Sequence, residues 1–213
     1  MTVTGITEWK KDRMLISLND EPAFVLYKRE VKEYSIREGE DLTAEKYEEI
    51  LEKVLIKRAK SRTLHILDRF DKTEHELRNK LKEDMYPEEA IDAAVEAAKK
   101  GRYLDDLRYA SQYIYEKSKS KSLKKIEAEL IGKGIDRSVL SESMKRFSED
   151  EEESGESRED ALILKIIEKR IPKGTEPDPE AEAKLIRYLL GKGFEYGKVK
   201  KILAKKRSEI MSF

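Results

Sequence analysis

Cysteine is absent from the 213 residues of this chain. A disulfide framework, a thiolate zinc site and a cysteine nucleophile are all excluded with it. Histidine is nearly absent: His65 and His75 stand ten residues apart with no H-E-x-x-H arrangement around them. Structural or surface histidines are expected, and no metal and no cofactor. No apolar run approaches the roughly 20 residues needed to cross a bilayer. The N-terminal residues also lack a basic segment followed by an apolar one. A soluble, cytoplasmic protein with no membrane partner is expected. An excess of one charge is missing too, with Lys+Arg 45 against Asp+Glu 45. That balance argues against coating of nucleic acid by the whole molecule but leaves local patches open.

Charged residues make up 42% of the chain and the hydrophobic set 38%. Disorder does not follow, because the apolar residues are periodic. One five-position pattern is written three times. Its clearest copy is Ile126, Leu130, Ile135, Leu140 and Met144; 49 residues earlier stand Leu77, Leu81, Tyr86, Ile91 and Val95, and 59 later Leu185, Leu189, Phe194, Val199 and Leu203. Fixed-period self-similarity marks a repeat architecture. Steps of four place two apolar residues on one helix face, and the intervening steps of five cross a turn. Each copy is thus a helix pair. One such unit has few apolar positions, so stacking of neighbouring units against one another is expected.

The chain divides accordingly. Residues 1–42 read as a small three-stranded antiparallel β-meander, with strands over Val3–Trp9, Met14–Leu18 and Ala23–Tyr27 and a polar turn at Asn19-Asp20-Glu21-Pro22. So small a sheet is marginal alone and should pack on the first helices. Thr43 is placed to cap the helix that follows. Residues 43–101 form helical repeat 1, in which Thr73 and Glu76 make a capping box and Pro87 sits in the first turn of the next helix. Residues 102–148 form repeat 2. Residues 149–160, rich in Asp and Glu, read as a solvated linker. Residues 161–213 form repeat 3, with a loop holding Pro172, Gly174, Pro177 and Pro179. The fold class is mainly α: three tandem three-helix repeats behind a small β-sheet.

Catalytic chemistry finds no footing. Gly132-Lys133-Gly134 and Gly191-Lys192-Gly193 hint at phosphate loops, but lack the spaced GxxxxGK[ST] context and end helices instead of opening them. Gly134 is read as a left-handed cap. Asp105-Asp106 are adjacent and point different ways, which suits a helix cap better than an acid pair. An enzyme is not expected.

Two charge features remain as candidate binding surfaces. Lys117, Lys119, Lys121, Lys124 and Lys125 form a basic run free of acids. Residues 181–213 carry nine Lys/Arg against three Glu, among them Arg187, Lys198, Lys201 and Lys205. Both are equally consistent with solvated helix faces or with contact to phosphates or an acidic protein surface. Tyrosines 103, 109, 113 and 115 lie nearby, in a stripe that suits a core better than a base-stacking platform.

The stretch Gly101-Arg102-Tyr103-Leu104-Asp105-Asp106-Leu107-Arg108-Tyr109-Ala110 resembles the second-repeat signature of the RecX family. Similar matches are Glu76-Leu77 with Lys80-Leu81, Ile126 with Glu129-Leu130 and Lys133-Gly134-Ile135, and Leu189 with Lys192-Gly193-Phe194. The resemblance covers about residues 54–207, and the N-terminal strands are similar to an extension in some members. Glu83-Asp84-Met85-Tyr86 departs from the family's Lys-Gly-aromatic turn. The resemblance implies a monomeric, curved helical row that binds the RecA recombinase filament. It further implies modulation, usually inhibition, of strand exchange, ATP hydrolysis and co-protease activity in DNA repair, recombination and the SOS response. The lysines and arginine just named would then be partner-binding residues, toward filament acids or DNA. Two other classes stay open: a nucleic-acid-binding module acting without a recombinase, and a general helical scaffold.

Overall fold

Alternating apolar and polar residues set the N-terminal strands: β1 (Val3–Lys10), β2 (Arg13–Leu18) and β3 (Glu21–Tyr27), antiparallel and in that order. The computed structural model describes residues 1–155, 157–171 and 178–211, with the backbone alone for 209–211. Asn19 and Asp20 turn the second hairpin with consecutive φ of 50° and 69°. Such a turn matches the strand twist, and Asn and Asp tolerate it. Pro22, expected in that turn, instead pairs with Ser17 inside β3; β3 is an edge strand, where a missing N–H costs little. Ile16, Phe24 and Leu26 are fully buried. They share one core with Ile50, Leu55, Leu77, Leu81 and Ile91, so the sheet does pack on the first helices.

A short helix not anticipated from the sequence, α1 (Lys28–Glu33), follows β3, and its Glu30 accepts the Tyr27 N–H at 2.8 Å. Next come α2 (Ala44–Ile50), capped by Thr43, and α3 (Ile56–Leu67), joined without a break by a π-helical turn at Leu51–Leu55. α4 (Glu74–Glu83) opens on the Thr73–Glu76 capping box. α5 (Glu88–Lys100) has Pro87 as its N-cap, one place before the first turn. These elements form one compact unit, Met1–Asp105; the remaining helices form a second, Asp106–Phe213. The second holds α6 (Asp106–Lys117), α7 (Leu123–Gly132), α8 (Arg137–Ser154), α9 (Arg158–Arg170), α10 (Pro179–Gly191) and α11 (Tyr196–Met211). Side-chain oxygens of Ser122, Asp136, Ser157 and Asp178 accept the orphan N–H groups that open α7, α8, α9 and α10. The proline- and glycine-rich loop expected before α10 falls largely on residues 172–177, outside the described residues; Pro179 stands at the start of α10.

The five-position pattern is the packing code. Thirteen of its fifteen residues are buried, and Tyr86 and Met144 are half-buried. The central turn of each copy is the same Schellman motif. The N–H of the third pattern residue reaches the carbonyl of the second: Tyr86 to Leu81 at 3.2 Å, Ile135 to Leu130 at 3.1 Å and Phe194 to Leu189 at 3.2 Å. The residue before it is left-handed each time: Met85 at φ 61°, Gly134 at 77° and Gly193 at 90°. Both glycine-lysine-glycine sites are therefore helix ends. Met85 adopts, with a side chain, the conformation its two counterparts reach with glycine.

Two expectations change in the second unit. Repeats 2 and 3 do not merge apolar faces: Ala110, Ile114, Ile126, Leu130 and Phe147 form one cluster, while Ile163, Ile167, Leu189, Phe194 and Val199 form another. A third helix closes each core within its own repeat. The acidic segment, over its described residues 149–155 and 157–160, is also not a free linker. α8 continues to Ser154, Gly155 turns at φ 68°, and Ser157 opens α9, whose Glu159 is buried. Glu residues favour helix, and an N-terminal first turn favours acids, so this charge run extends structure instead of interrupting it.

Candidate functional site

The junction between repeats 2 and 3 is polar and is built from helix ends. Ser122, the buried N-cap of α7, donates its hydroxyl to the Lys192 carbonyl at the end of α10, 2.8 Å away. Glu159 in the first turn of α9 accepts the Leu123 N–H at 3.0 Å through Oε1 and the Lys198 ammonium at 2.6 Å through Oε2. Burial pulls the Lys198 pKa down, but the hydrogen bond and charge of Glu159 outweigh it and hold the ammonium above its usual value. Arg158 lies 3.9 Å from the centre of the Tyr115 ring and 5.7 Å from that of Phe147. Gly193 is close by: a Cβ there would stand 2.6 Å from Ser122 Oγ.

The nine residues proposed from the sequence divide on this frame. Lys121 is engaged inside repeat 2, its ammonium 2.6 and 2.7 Å from the two Glu129 oxygens, while the Tyr113 hydroxyl donates to the same carboxylate at 2.8 Å. Burial and then the Glu129 hydrogen bond push the Tyr113 hydroxyl up to about 12. The Lys121 and Tyr113 hydrogen bonds hold Glu129 below the usual carboxylate range. Lys117 lies over the Tyr113 ring at 5.6 Å and Lys119 over Tyr115 at 4.8 Å. Lys124 and Lys198 line one cleft between α7 and the α10–α11 turn, with Glu127, Glu195 and Tyr196. Lys201 and Lys205, one turn apart, line another beside Asp160 and Leu164. Arg187 is exposed on α10, its Nε donating to the Ala183 carbonyl at 3.3 Å, and lines neither cleft. Lys119, Lys124, Lys125, Lys201, Lys205 and Arg187 are exposed and have no carboxylate in ion-pair contact among the described residues, though the charge of Lys125 is felt by Glu129.

Arg158 and Glu159 were missed as junction residues. The signal was present: Ser157 with acids in the following turn is a helix start, and a helix start at 157 takes these residues out of a linker. Lys200 over Tyr196 at 5.8 Å and Arg170 over Tyr188 at 3.6 Å show that repeat 3 shares the habit of covering tyrosine faces with cations. His75 is exposed and sits 2.9 Å from Asn79 Nδ2. Among the described residues no three His, Asp or Glu side chains converge in a way that could hold a metal. No described helix is long and apolar enough to cross a membrane.

Tandem three-helix repeats joined by capped turns, with charges on the outside, define a class of helical-repeat proteins. Profiles of that class match in register: "RecX, first three-helix domain" over residues 59–96, "RecX, second three-helix domain" over 105–144 and "RecX, third three-helix domain" over 158–203. A protein named Regulatory protein RecX from Clostridium acetobutylicum is 30% identical over 200 residues, which is 94% of this chain and 92% of that one. Its namesake from Caldanaerobacter subterraneus is 29% identical across 95% of this chain and 98% of its own. The chain belongs to the RecX family of regulatory proteins. The fold agrees: a crystal structure of regulatory protein RecX superposes with a TM-score of 0.61 at 23% identity over 94% of this chain and 98% of that one. RecX from Lactobacillus salivarius gives 0.62 at 20% identity over 71% and 96%.

Proposed function

We propose that this protein binds the filament of a RecA-type recombinase in the cytoplasm, as a monomer, and restrains its strand exchange, ATP hydrolysis and co-protease activity. The observation that carries this reading is the set of uncompensated cations on repeats 2 and 3. Lys119, Lys124, Lys125, Lys201, Lys205 and Arg187 contact acidic protein surface or the DNA inside the filament, while Lys121 and Lys198 hold the frame through Glu129 and Glu159. Lys117 lies against Tyr113 and adds to the field at close range. The test is DNA-dependent ATP hydrolysis by the host recombinase with substoichiometric protein. Inhibition is expected, and it should weaken when Lys119, Lys124, Lys125, Lys201 and Lys205 are changed to Glu with helicity unchanged by circular dichroism. Equal inhibition by wild type and variant would remove the assigned surface; absence of any effect by the wild type would remove the recombinase.

One observation favours a second reading. Tyr115 and Tyr196 are exposed beside Lys119, Arg158 and Lys200, the pairing of ring and cation that single-stranded nucleic acid uses. Acting alone as a nucleic-acid module, the protein would bind single strands with a salt slope of roughly 0.7 per phosphate contacted, and the recombinase would change nothing.

A further inference from the structure

The N-terminal unit carries a cleft of about 420 Å³ that none of these roles uses, between the sheet, α3 and the turn after α4. Strand register builds one wall. Lys10 stands opposite Arg13 across β1 and β2, and Arg13 opposite Tyr27 across β2 and β3, so three neighbours cross the sheet in one row. Like charges directly opposed weaken a sheet, and neither Lys10 nor Arg13 has a carboxylate in ion-pair reach among the described residues. α3 builds the facing wall with Arg58 and Arg62, four residues apart and so on one side of the helix.

These two arginines are held in place by groups of their own. Arg58 Nη2 lies 2.6 and 2.8 Å from the Glu30 oxygens, and Nη1 donates to the Val25 carbonyl at 3.2 Å. Arg62 donates through Nε to Asp84 at 2.7 Å, and its Nη groups have no hydrogen-bond partner among the described residues. Arg13 Nη2 donates to the Tyr27 hydroxyl at 3.3 Å, and the guanidinium carbons of Arg13 and Arg58 lie 5.3 and 4.7 Å from the Tyr27 ring centre. Burial raises the pKa of the Tyr86 hydroxyl, while the charges of Arg58, Arg13 and Arg62 all pull it the other way. Three guanidiniums therefore converge on Tyr27 and Tyr86. Glu30 and Asp84 each balance one of them; Arg13 and Lys10, whose ammonium lies 3.8 Å over the Trp9 ring, have no carboxylate to balance them among the described residues.

A folded chain keeps opposed, unbalanced cations together at a cost in stability. We propose that this cleft binds a phosphate oxyanion, free or within a nucleic-acid backbone, with Lys10 and Arg13 supplying the unbalanced charge and Arg62 the free donors. The donors approach from β1, β2 and α3, in different directions, which suits a tetrahedral anion better than a planar carboxylate. Arg58 and Glu30 position the site and do not spend their charge on the ligand.

The test uses the full chain, its Lys10→Gln/Arg13→Gln variant, and a Lys32→Gln/Lys60→Gln control that removes the same charge from exposed residues outside the cleft. Backbone amide shifts are followed during titration with inorganic phosphate, with acetate, and with an oligothymidylate at several salt concentrations. Phosphate should move the amides of Arg13, Tyr27 and Tyr86 in wild type and control, and not in the cleft variant. Acetate should move them little. A backbone source adds a fall of about 1.4 in the oligothymidylate salt slope of the cleft variant, from two contacts of roughly 0.7 each; an unchanged slope with lost phosphate shifts identifies a free phosphate. Identical phosphate shifts in all three proteins overturn the site, as does an acetate response equal to that of phosphate. Spectra of the unliganded variant that superpose on wild type away from the cleft exclude misfolding as the reason for lost binding.

Discussion

Replacing Glu159 with alanine should loosen the place where α9 and α11 of repeat 3 meet the start of α7. The carboxylate is 8% exposed and makes two contacts, to Lys198 Nζ at 2.6 Å and to the Leu123 N–H at 3.0 Å. A hydrogen bond involving a charged group contributes about 1.5–3 kcal/mol. The Lys198 side chain is 40% exposed, so water screens its half of the pair, and roughly 1 kcal/mol is the fair share of that contact. Loss of the Leu123 contact strips one of the orphan donors that open α7, worth about 1.5 kcal/mol. Removing a buried charge also relieves some desolvation, which keeps the sum at about 2–3 kcal/mol. At about 1.4 kcal/mol per factor of ten, that is roughly a 30- to 150-fold rise in local opening. Hydrogen exchange should report it as lost protection across α9 and α11 and at the Leu123 amide. Lys198→Ala should cost about 1 kcal/mol, and Lys201→Ala, an exposed change with no partner among the described residues, under about 0.5. A Glu159→Ala effect no larger than that of Lys201→Ala, or an unchanged Leu123 amide, would refute the account of the junction.

Three further outcomes follow from particular residues. Met85→Gly should stabilise the first unit by about 0.5–1 kcal/mol in denaturant unfolding, because relief of a left-handed side chain, about 1–2 kcal/mol, exceeds the added chain entropy of glycine. Thr63 is 1% exposed and its hydroxyl has no hydrogen-bond partner among the described residues; Thr63→Val, equal in shape, should raise stability by roughly 1 kcal/mol, and a loss of that size would show the hydroxyl to be bonded. In an ultraviolet titration Tyr113 should ionise at about 12, and Glu129→Gln should bring it down. Because its folded pKa is raised, the stability Tyr113 contributes is whole below the ordinary tyrosine value of 10.0 and is lost as pH climbs through about 12.

The sequence disclosed the repeated turns because their requirements are local. A left-handed residue, a capping side chain and apolar pairs four apart are all readable within ten residues, and Thr73, Gly134 and Gly193 take the expected places. The strands were legible for the same reason, their alternation being set by one buried face. Pro22 was misplaced because tolerance of proline depends on whether a strand lies at an edge, which is a property of the sheet. The acidic segment misled more deeply. Its charge density suggested solvent, yet Glu159 is buried because Lys198, 39 residues away, and the Leu123 N–H, 36 away, both meet it. The basic run was visible as a run, but Lys121 could not be told from Lys124 until Glu129 was seen to claim it. The cleft among Lys10, Arg13, Arg58 and Arg62 left no trace in the sequence, since strand register and a helix face have to be brought together before those charges become neighbours.

The bridges of Ser122 and Glu159 bear on how the second unit meets anything that repeats. They hold the cations near the α7 turn and those on α11 to one frame, so that contact by the first set presents the second at high effective concentration. A partner whose own sites recur at the matching interval gains avidity without any new kind of contact, and a partner with another interval gains none. If the protein binds as proposed, the buried carboxylate of Glu159 sets the length of a ruler, and changing it would alter the spacing of the two sets of cations while leaving every exposed lysine in place.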